Sequence, residues 1–306
     1  MKYLLKKTFY LIISLFLITT LTFFIMKAVP GDPFSEEQAL PKEMLEALQS
    51  HYGLNEPWHV QYALYLKSLA HGNLGLSLKF QDRTVNAIIK EGFAVSATLG
   101  LEAFFIALTG GLLFGTWAAL YQNRWQDHLI LLLTTFSLSL PSFILASMLQ
   151  YVFAMQLNLL PIARWGTWSQ TILPSIALAL LPMGFIARLI RQSMLEVLRS
   201  DYIKLAKAKG LSTSQWIFKH ALRNAFLPVL SYVGQLLTNL LVGSFVIEKI
   251  FSIPGLGRWF ITSIGNRDYP VIMGLTLFYS FLLMGAIFLV EMAYGFLDPR
   301  IQVEKS

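Results

Sequence analysis

The chain has 306 residues, of which 55% are hydrophobic and only 13% charged, against about 45–50% and about 25% in soluble domains. A mean hydropathy of +0.57 leaves too few charges to cover a water-facing surface, and the scattered 20 Gly and 12 Pro exclude collagen-like and disordered classes. What remains is an all-α polytopic membrane protein, in which the net charge of +7 reports orientation rather than a nucleic-acid partner. The absence of cysteine rules out disulfides, thiolate metal sites and a Cys nucleophile.

Six uncharged runs are long enough to cross about 30 Å of hydrocarbon as helices. They cover residues 8–26, 103–123, 129–163, 165–187, 224–247 and 269–290. The first exceeds a signal-peptide core and lacks an A-x-A site before Pro30, so it reads as a retained span. The third is long enough for one span plus a return loop. Pro141, Pro174 and Pro182 fall inside runs, where a missing amide donor kinks a helix. Lys2, Lys6 and Lys7 ahead of the first run, and the basic cluster between residues 188 and 223, place the N-terminus inside. Six spans then put both termini in the cytoplasm.

The chain divides accordingly into an N-terminal transmembrane helix (1–30), an outer segment (31–91), a five-helix core (92–297) and a cytoplasmic tail (298–306). Within the outer segment, Pro41 can open a helix carrying Met44, Leu45, Leu48 and Tyr52 and ending at Gly53. Pro57 can open a second, with Trp58, Tyr62, Tyr65, Leu66 and Leu69, that ends at Gly72. Such helices form either a cap packed on the bundle or a docking surface for a soluble partner.

Residues 193–226 carry Arg199, Lys204, Lys207, Lys209, Lys219 and Arg223 against Glu196 and Asp201. Leu198, Tyr202, Leu205 and Ala206 make a helical stripe, Gly210 supplies the positive φ that ends it, and Ser212 or Ser214 caps a second helix with Trp216, Ile217 and Leu222. This is either a solvated basic loop or a rigid knob for a cytoplasmic partner. The charges nearest membrane depth, Glu102, Arg188, Arg191 and Glu291, lie toward span ends and are expected to snorkel.

DYIKLAKAKGL at 201–211 and KHALRNAFLPVL at 219–230 resemble the coupling loop of permease subunits of the dipeptide, oligopeptide and nickel branch of ABC importers. VPGDPF (29–34), YGLNEPWHVQY (52–62), GNLGLS (72–77), PSFILA (141–146), EKIFSIPGLGRW (248–259), RDYP (267–270) and LDPRI (297–301) follow the family in order. The first span and the Pro-Gly-Asp-Pro after it resemble the first of the two related permeases. Lys204 and Leu205 stand where the general loop pattern has Glu and Ala.

The resemblance implies a type I ABC importer permease fold in a bacterial inner membrane, forming half of a path for peptides. It implies as partners a second permease, two cytoplasmic ATPase subunits that bind ATP and Mg, a periplasmic or lipid-anchored substrate-binding protein, and membrane lipid. By the same resemblance, Asp201, Ala206, Ala208, Gly210, Leu211, His220, Arg223, Asn224 and Pro228 belong to ATPase coupling. Glu248, Phe251, Pro254, Gly255, Gly257, Arg267 and Asp268 belong to an outer gate or the binding-protein contact, with Pro254, Gly255 and Gly257 forming a tight turn. The chain itself has no Gly-Lys dipeptide and so no phosphate-cradling G-x-x-x-x-G-K-[ST] loop. It is expected to be neither an enzyme nor a holder of cofactor or metal.

Rival readings are a nickel importer permease, a peptide-family exporter and, more distantly, an ion-coupled secondary transporter, which would favour midplane acids and internal repeats. His51, His59, His71, His128 and His220 all fall outside the runs and form no H-E-x-x-H.

Overall fold

The computed structural model describes residues 2–29, 50, 53–80, 82–241 and 243–297. The helix expected from Pro41, residues 30–34 of VPGDPF, residues 298–301 of LDPRI and the tail 298–306 lie outside them. The described residues are helical, with one isolated antiparallel bridge between Leu76 and Thr84. They fall into two compact units, residues 96–253 and residues 1–95 with 254–306.

The second of these contains α1 (Lys2–Ala28), α2 (Trp58–Ala70), the first turns of α3 (Val85–Leu120), α11 (Leu256–Gly265) and α12 (Tyr269–Leu297). Aromatic rings fasten α2 to α1: Phe23 stacks on Tyr65 with centroids 6.0 Å apart, and the Thr20 and Tyr62 hydroxyls are 2.6 Å apart. Gly72 ends the region after α2 with φ +72. A second core joins Val85, Ile88 and Ile89 of α3 to Leu256 of α11 and Val271 and Leu275 of α12.

The unit of residues 96–253 is built round α6 (Trp168–Leu198). Its buried stripe includes Ile186, Ile190 and Met194. Against it lies α3, whose Gly111 and Gly115 form a G-x-x-x-G face. A Cβ at Gly111 would lie 2.6 Å from the Ile186 Cβ, and one at Gly115 would lie 2.5 Å from the Ala187 oxygen. Lipid offers no hydrophobic drive between helices, so close backbone approach of this kind supplies the packing energy. Pro174 and Pro182 lie inside an α6 that runs unbroken.

Pro141 acts differently. It sits between α4 (Trp125–Ser139) and α5 (Ser142–Leu149, continued by the π-helical stretch Gln150–Gln156), and the pair is bent by 112°. Leu140, the residue before the proline, is extended at φ −96 and ψ 134, as the clash with the proline ring demands. The 15 residues of α4 reach about 22 Å at 1.5 Å per residue, short of about 30 Å of hydrocarbon. The run read as one span plus a return loop is therefore a broken pair. Among the described residues five stretches are long and apolar enough to cross a membrane, and counting this pair makes six.

The fifth run is also subdivided. It follows α7 (Asp201–Ala208) and a composite α8 of Thr213–Gln215, the π-helical stretch Trp216–Ala221 and Leu222–Ala225. Then come α9 (Leu227–Leu241) and α10 (Phe245–Ile250). Pro228 has no amide to offer Asn224, so α8 and α9 part at Phe226.

A side chain at Gly111 must push into Ile186, so Gly111→Val is expected to cost about 1–3 kcal/mol by overpacking. In detergent it should lower the thermal midpoint by about 5 °C. Gly285→Ala, where a Cβ meets nothing within 4 Å, should leave the midpoint within about 1 °C.

Candidate functional site

Residues 200–226 form a folded projection, not a loop. Ser200 precedes α7, which carries Asp201 in its first turn and Lys207 in its last, both signs suiting the helix dipole. Gly210, at φ +77, ends the helix in a Schellman turn, with the Leu211 amide on the Ala206 carbonyl at 3.3 Å and the Gly210 amide on the Lys207 carbonyl at 3.0 Å. Ser212 caps α8 by accepting from the Gln215 amide at 3.4 Å, while the Gln215 side chain accepts from the Ser212 amide at 3.0 Å.

Two side-chain contacts brace this turn. The Asn224 amide donates to the Tyr202 hydroxyl at 2.8 Å, and the Lys207 ammonium lies 4.2 Å from the Trp216 ring centroid. Inward, Ile203 and Ala206 of α7 and Ala221 and Ala225 of α8 join Ile190 and Met194 in one core. Of the stripe expected from the sequence, Leu198 and Ala206 pack into this core, with Ile203 in place of Tyr202 and Leu205. Tyr202 (42% exposed) and Leu205 (56%) point outward, as does Phe218 (61%), beside exposed Lys204, Ala208 and Lys209. Arg223, Asn224 and Pro228 are exposed, whereas Leu211 and His220 are half-buried.

The base of the projection is bolted by an ion pair. Asp127, 1% exposed, takes two bonds from the Arg191 guanidinium of α6, at 2.6 and 2.7 Å, and a third from the Asn123 amide at 2.9 Å. Arg188 donates to Thr134 at 3.2 Å and Thr135 at 2.5 Å, and Glu102 accepts from Ser175 at 2.7 Å. Neighbouring helices thus give each of these three charges a hydrogen-bond partner. The Glu291 side chain lies outside what is described.

The residues assigned to the outer side separate into two settings. In the unit of residues 96–253, Glu248 is fully buried and accepts from the Ser96 hydroxyl at 2.7 Å. Gly243 (φ +84) faces this carboxylate with no room for a Cβ. Phe251 is buried, and its carbonyl accepts from the Arg164 amide at 2.8 Å.

In the other unit Pro254 is exposed, Gly255 precedes α11 at φ −91, and Gly257 is buried within that helix. The tight turn expected at Pro254, Gly255 and Gly257 is thus a helix start, and the positive φ belongs to Ser252 at 53. Asp268 is fully buried ahead of α12. It accepts from the Ser77 hydroxyl and, at 3.1 Å, from the Leu78 amide, tying RDYP to GNLGLS. Its neighbour Arg267 has φ 54.

Sequence reasoning missed Asp127, Ser96, Ser77 and the Gly111–Gly115 pair. Only the glycines carried a local signal, their four-residue spacing. Among the described residues no group of three or more His, Cys, Asp or Glu is placed to hold a metal.

The family model described as binding-protein-dependent transport system inner membrane component matches residues 111–303, and the corresponding N-terminal model matches residues 1–84. The chain is 47% identical to the dipeptide transport system permease protein DppB of Bacillus subtilis (strain 168), over 100% of this chain and 99% of that protein. It is 41% identical to the oligopeptide transport system permease protein OppB of Salmonella typhimurium, over 99% of each. Among solved structures, the inward-facing MetNI methionine ABC transporter aligns with a TM-score of 0.51 at 15% identity, over 67% of this chain and 95% of that one. That similarity establishes the fold.

Removing one member of a buried pair strands the other. Asp127→Ala should therefore destabilise the protein by about 3 kcal/mol, while the double change Asp127→Leu with Arg191→Met should recover most of the loss. Thermal unfolding of the wild type and these two variants in one detergent checks both expectations.

Proposed function

The chain belongs to the binding-protein-dependent transport system inner membrane component family, and from that premise we propose that it is a permease subunit of an ATP-driven importer of short peptides. On this reading it supplies half of the path, a second permease supplies the other half, two cytoplasmic ATPase subunits bind below, and a periplasmic or lipid-anchored binding protein delivers peptide from above. Full-length similarity to permeases named for dipeptide and oligopeptide transport favours peptides as the cargo.

The observation that carries the coupling assignment is the projection at residues 200–226. A nucleotide-driven subunit shifts a permease between two forms only through contacts that differ between them, and that needs a stiff connection. The projection is stiff because its inner face is part of the α6 core and its turn is closed by the Schellman bonds, the cap and the Tyr202–Asn224 contact. Tyr202, Leu205 and Phe218 give it an apolar outer face, with Lys204 and Lys209 beside them. Asp201, Ala208, His220 and Arg223 then belong to the docking surface or its rim. Ala206, Gly210, Leu211, Asn224 and Pro228 hold its shape.

This places α7 and α8 on the cytoplasmic side, with both termini. Glu248, Phe251, Pro254, Gly255, Gly257, Arg267 and Asp268 then lie toward the outer side. Glu248 and Asp268 each fix their own stretch of chain by bonds to a distant segment of the same unit. ATP and Mg are supplied by the partner subunits, and this chain contributes no phosphate-binding loop.

Gly210 meets open space, so a side chain there adds backbone strain without a clash. That strain is about 1–2 kcal/mol. Gly210→Val is expected to leave the spans folded and assembled but to reshape the turn. In proteoliposomes holding the whole transporter, it should lower peptide imported per ATP hydrolysed by about ten-fold. An unchanged ratio would remove the coupling role from this turn.

A further inference from the structure

Helix α9 turns three polar side chains outward. Ser231, Gln235 and Asn239 are exposed, while Leu236, Thr238 and Leu240 of the same helix are buried. A spacing of four residues puts the three on one face, about 6 Å apart along the axis. The stretch Leu227–Ile250 to which they belong is long and apolar enough to cross a membrane.

Several hydroxyls in such stretches close on their own helix, among them Thr109 on the Phe105 carbonyl at 2.6 Å, Thr135 on Leu131 at 2.6 Å and Thr276 on Ile272 at 2.8 Å. Thr238, also on α9, does the same with Gly234 at 3.0 Å. Ser231, Gln235 and Asn239 have no hydrogen-bond partner among the described residues. A carboxamide also carries two donors and an acceptor, more than a helix backbone can satisfy. Such groups are costly against hydrocarbon, and polar side chains in spans face protein or a water-filled cavity.

We infer that Ser231, Gln235 and Asn239 form a hydrogen-bonding rail for the main chain of the transported peptide. This rests on the peptide-import reading. An extended peptide repeats its N–H and C=O groups along one edge every two residues, about 6.7 Å. The 6 Å repeat of the rail matches this within the reach of a flexible carboxamide. The three positions span about 12 Å, the length of roughly four extended residues.

The complementarity is also one of charge. The rail is neutral, as main-chain amides are, so it suits what all peptides share and is indifferent to the sign of their side chains. Because carboxamide and hydroxyl groups both donate and accept, the rail accepts either edge of the chain. It offers no imidazole, thiolate or carboxylate for a transition-metal ion and no apolar surface for an apolar solute.

The test uses the complete transporter in proteoliposomes, with radiolabelled tetra-alanine delivered by its binding protein. A benzoylphenylalanine photoprobe is placed singly at Ser231, Gln235 or Asn239, with Phe9 of α1 as a control position. The expected result is ATP-dependent transfer of label to this chain from all three positions and none from Phe9. In parallel, Gln235→Leu with Asn239→Leu should slow import by about ten-fold while Gln235→Asn stays within about three-fold of wild type. Co-purification of the partners shows that each variant is assembled, and the photoprobe decides if the double variant is not.

Crosslinks only to the second permease or to lipid overturn the rail, as does wild-type import by an assembled double variant. A wild-type transporter that imports neither tetra-alanine nor di-alanine, run as a second labelled substrate, but does import a non-peptide solute overturns the peptide reading, and the rail with it. Normal tetra-alanine import without label at α9 overturns the rail alone.

Discussion

The close approach of α3 to α6 at Gly111 and Gly115 is the constraint on which the unit of residues 96–253 depends. Two helices in lipid gain little by hiding leucines from one another, so contact must come from backbones near enough for many weak attractions to add. Only glycine leaves room beside Ile186, Ala187 and Ile190. Once α6 is held there, its opposite flank takes α4, with Gly184 of α6 against Ser137. Its far end carries Arg191 to Asp127.

That same helix delivers the core into the projection. Ile190 and Met194 of α6 meet Ile203, Ala206, Ala221 and Ala225 in one core, to which α7 and α8 contribute three alanines. Small residues keep α7 and α8 close to α6, and close-packed interiors transmit displacement instead of absorbing it. The outward residues are larger and include Tyr202, Leu205 and Phe218. Mechanical continuity and an adhesive outer surface thus arise from opposite faces of the same two short helices.

Polar groups are accommodated by three distinct means. Hydroxyls fold back on their own helix, charges such as Arg191, Arg188 and Glu102 are met by side chains of a neighbour, and the buried carboxylates Glu248 and Asp268 gather segments far apart in sequence. Each reflects the cost of an unpaired polar group away from water. The α9 stripe fits none of the three, and it differs from an isolated unpaired hydroxyl such as that of Thr116 in lining up three exposed polar side chains on one face.

The sequence by itself determined the membrane class, the positions of the apolar runs, the turn at Gly210 and a serine cap at 212 or 214, between which the structure chose Ser212. Each depends on composition, on local periodicity or on a residue whose backbone preference is strong. Pro141 was visible as a perturbation, but whether a proline bends a helix by 112° or lies inside an unbroken one, as Pro174 and Pro182 do, depends on what packs around it. The tertiary structure alone decided that Ile203 and not Tyr202 faces inward, that Gly257 lies within the first turn of a helix, and that Asp127, Ser96 and Ser77 hold Arg191, Glu248 and Asp268. Those pairs join residues 64, 152 and 191 positions apart, and no local pattern in a single chain records which distant group will satisfy a buried charge.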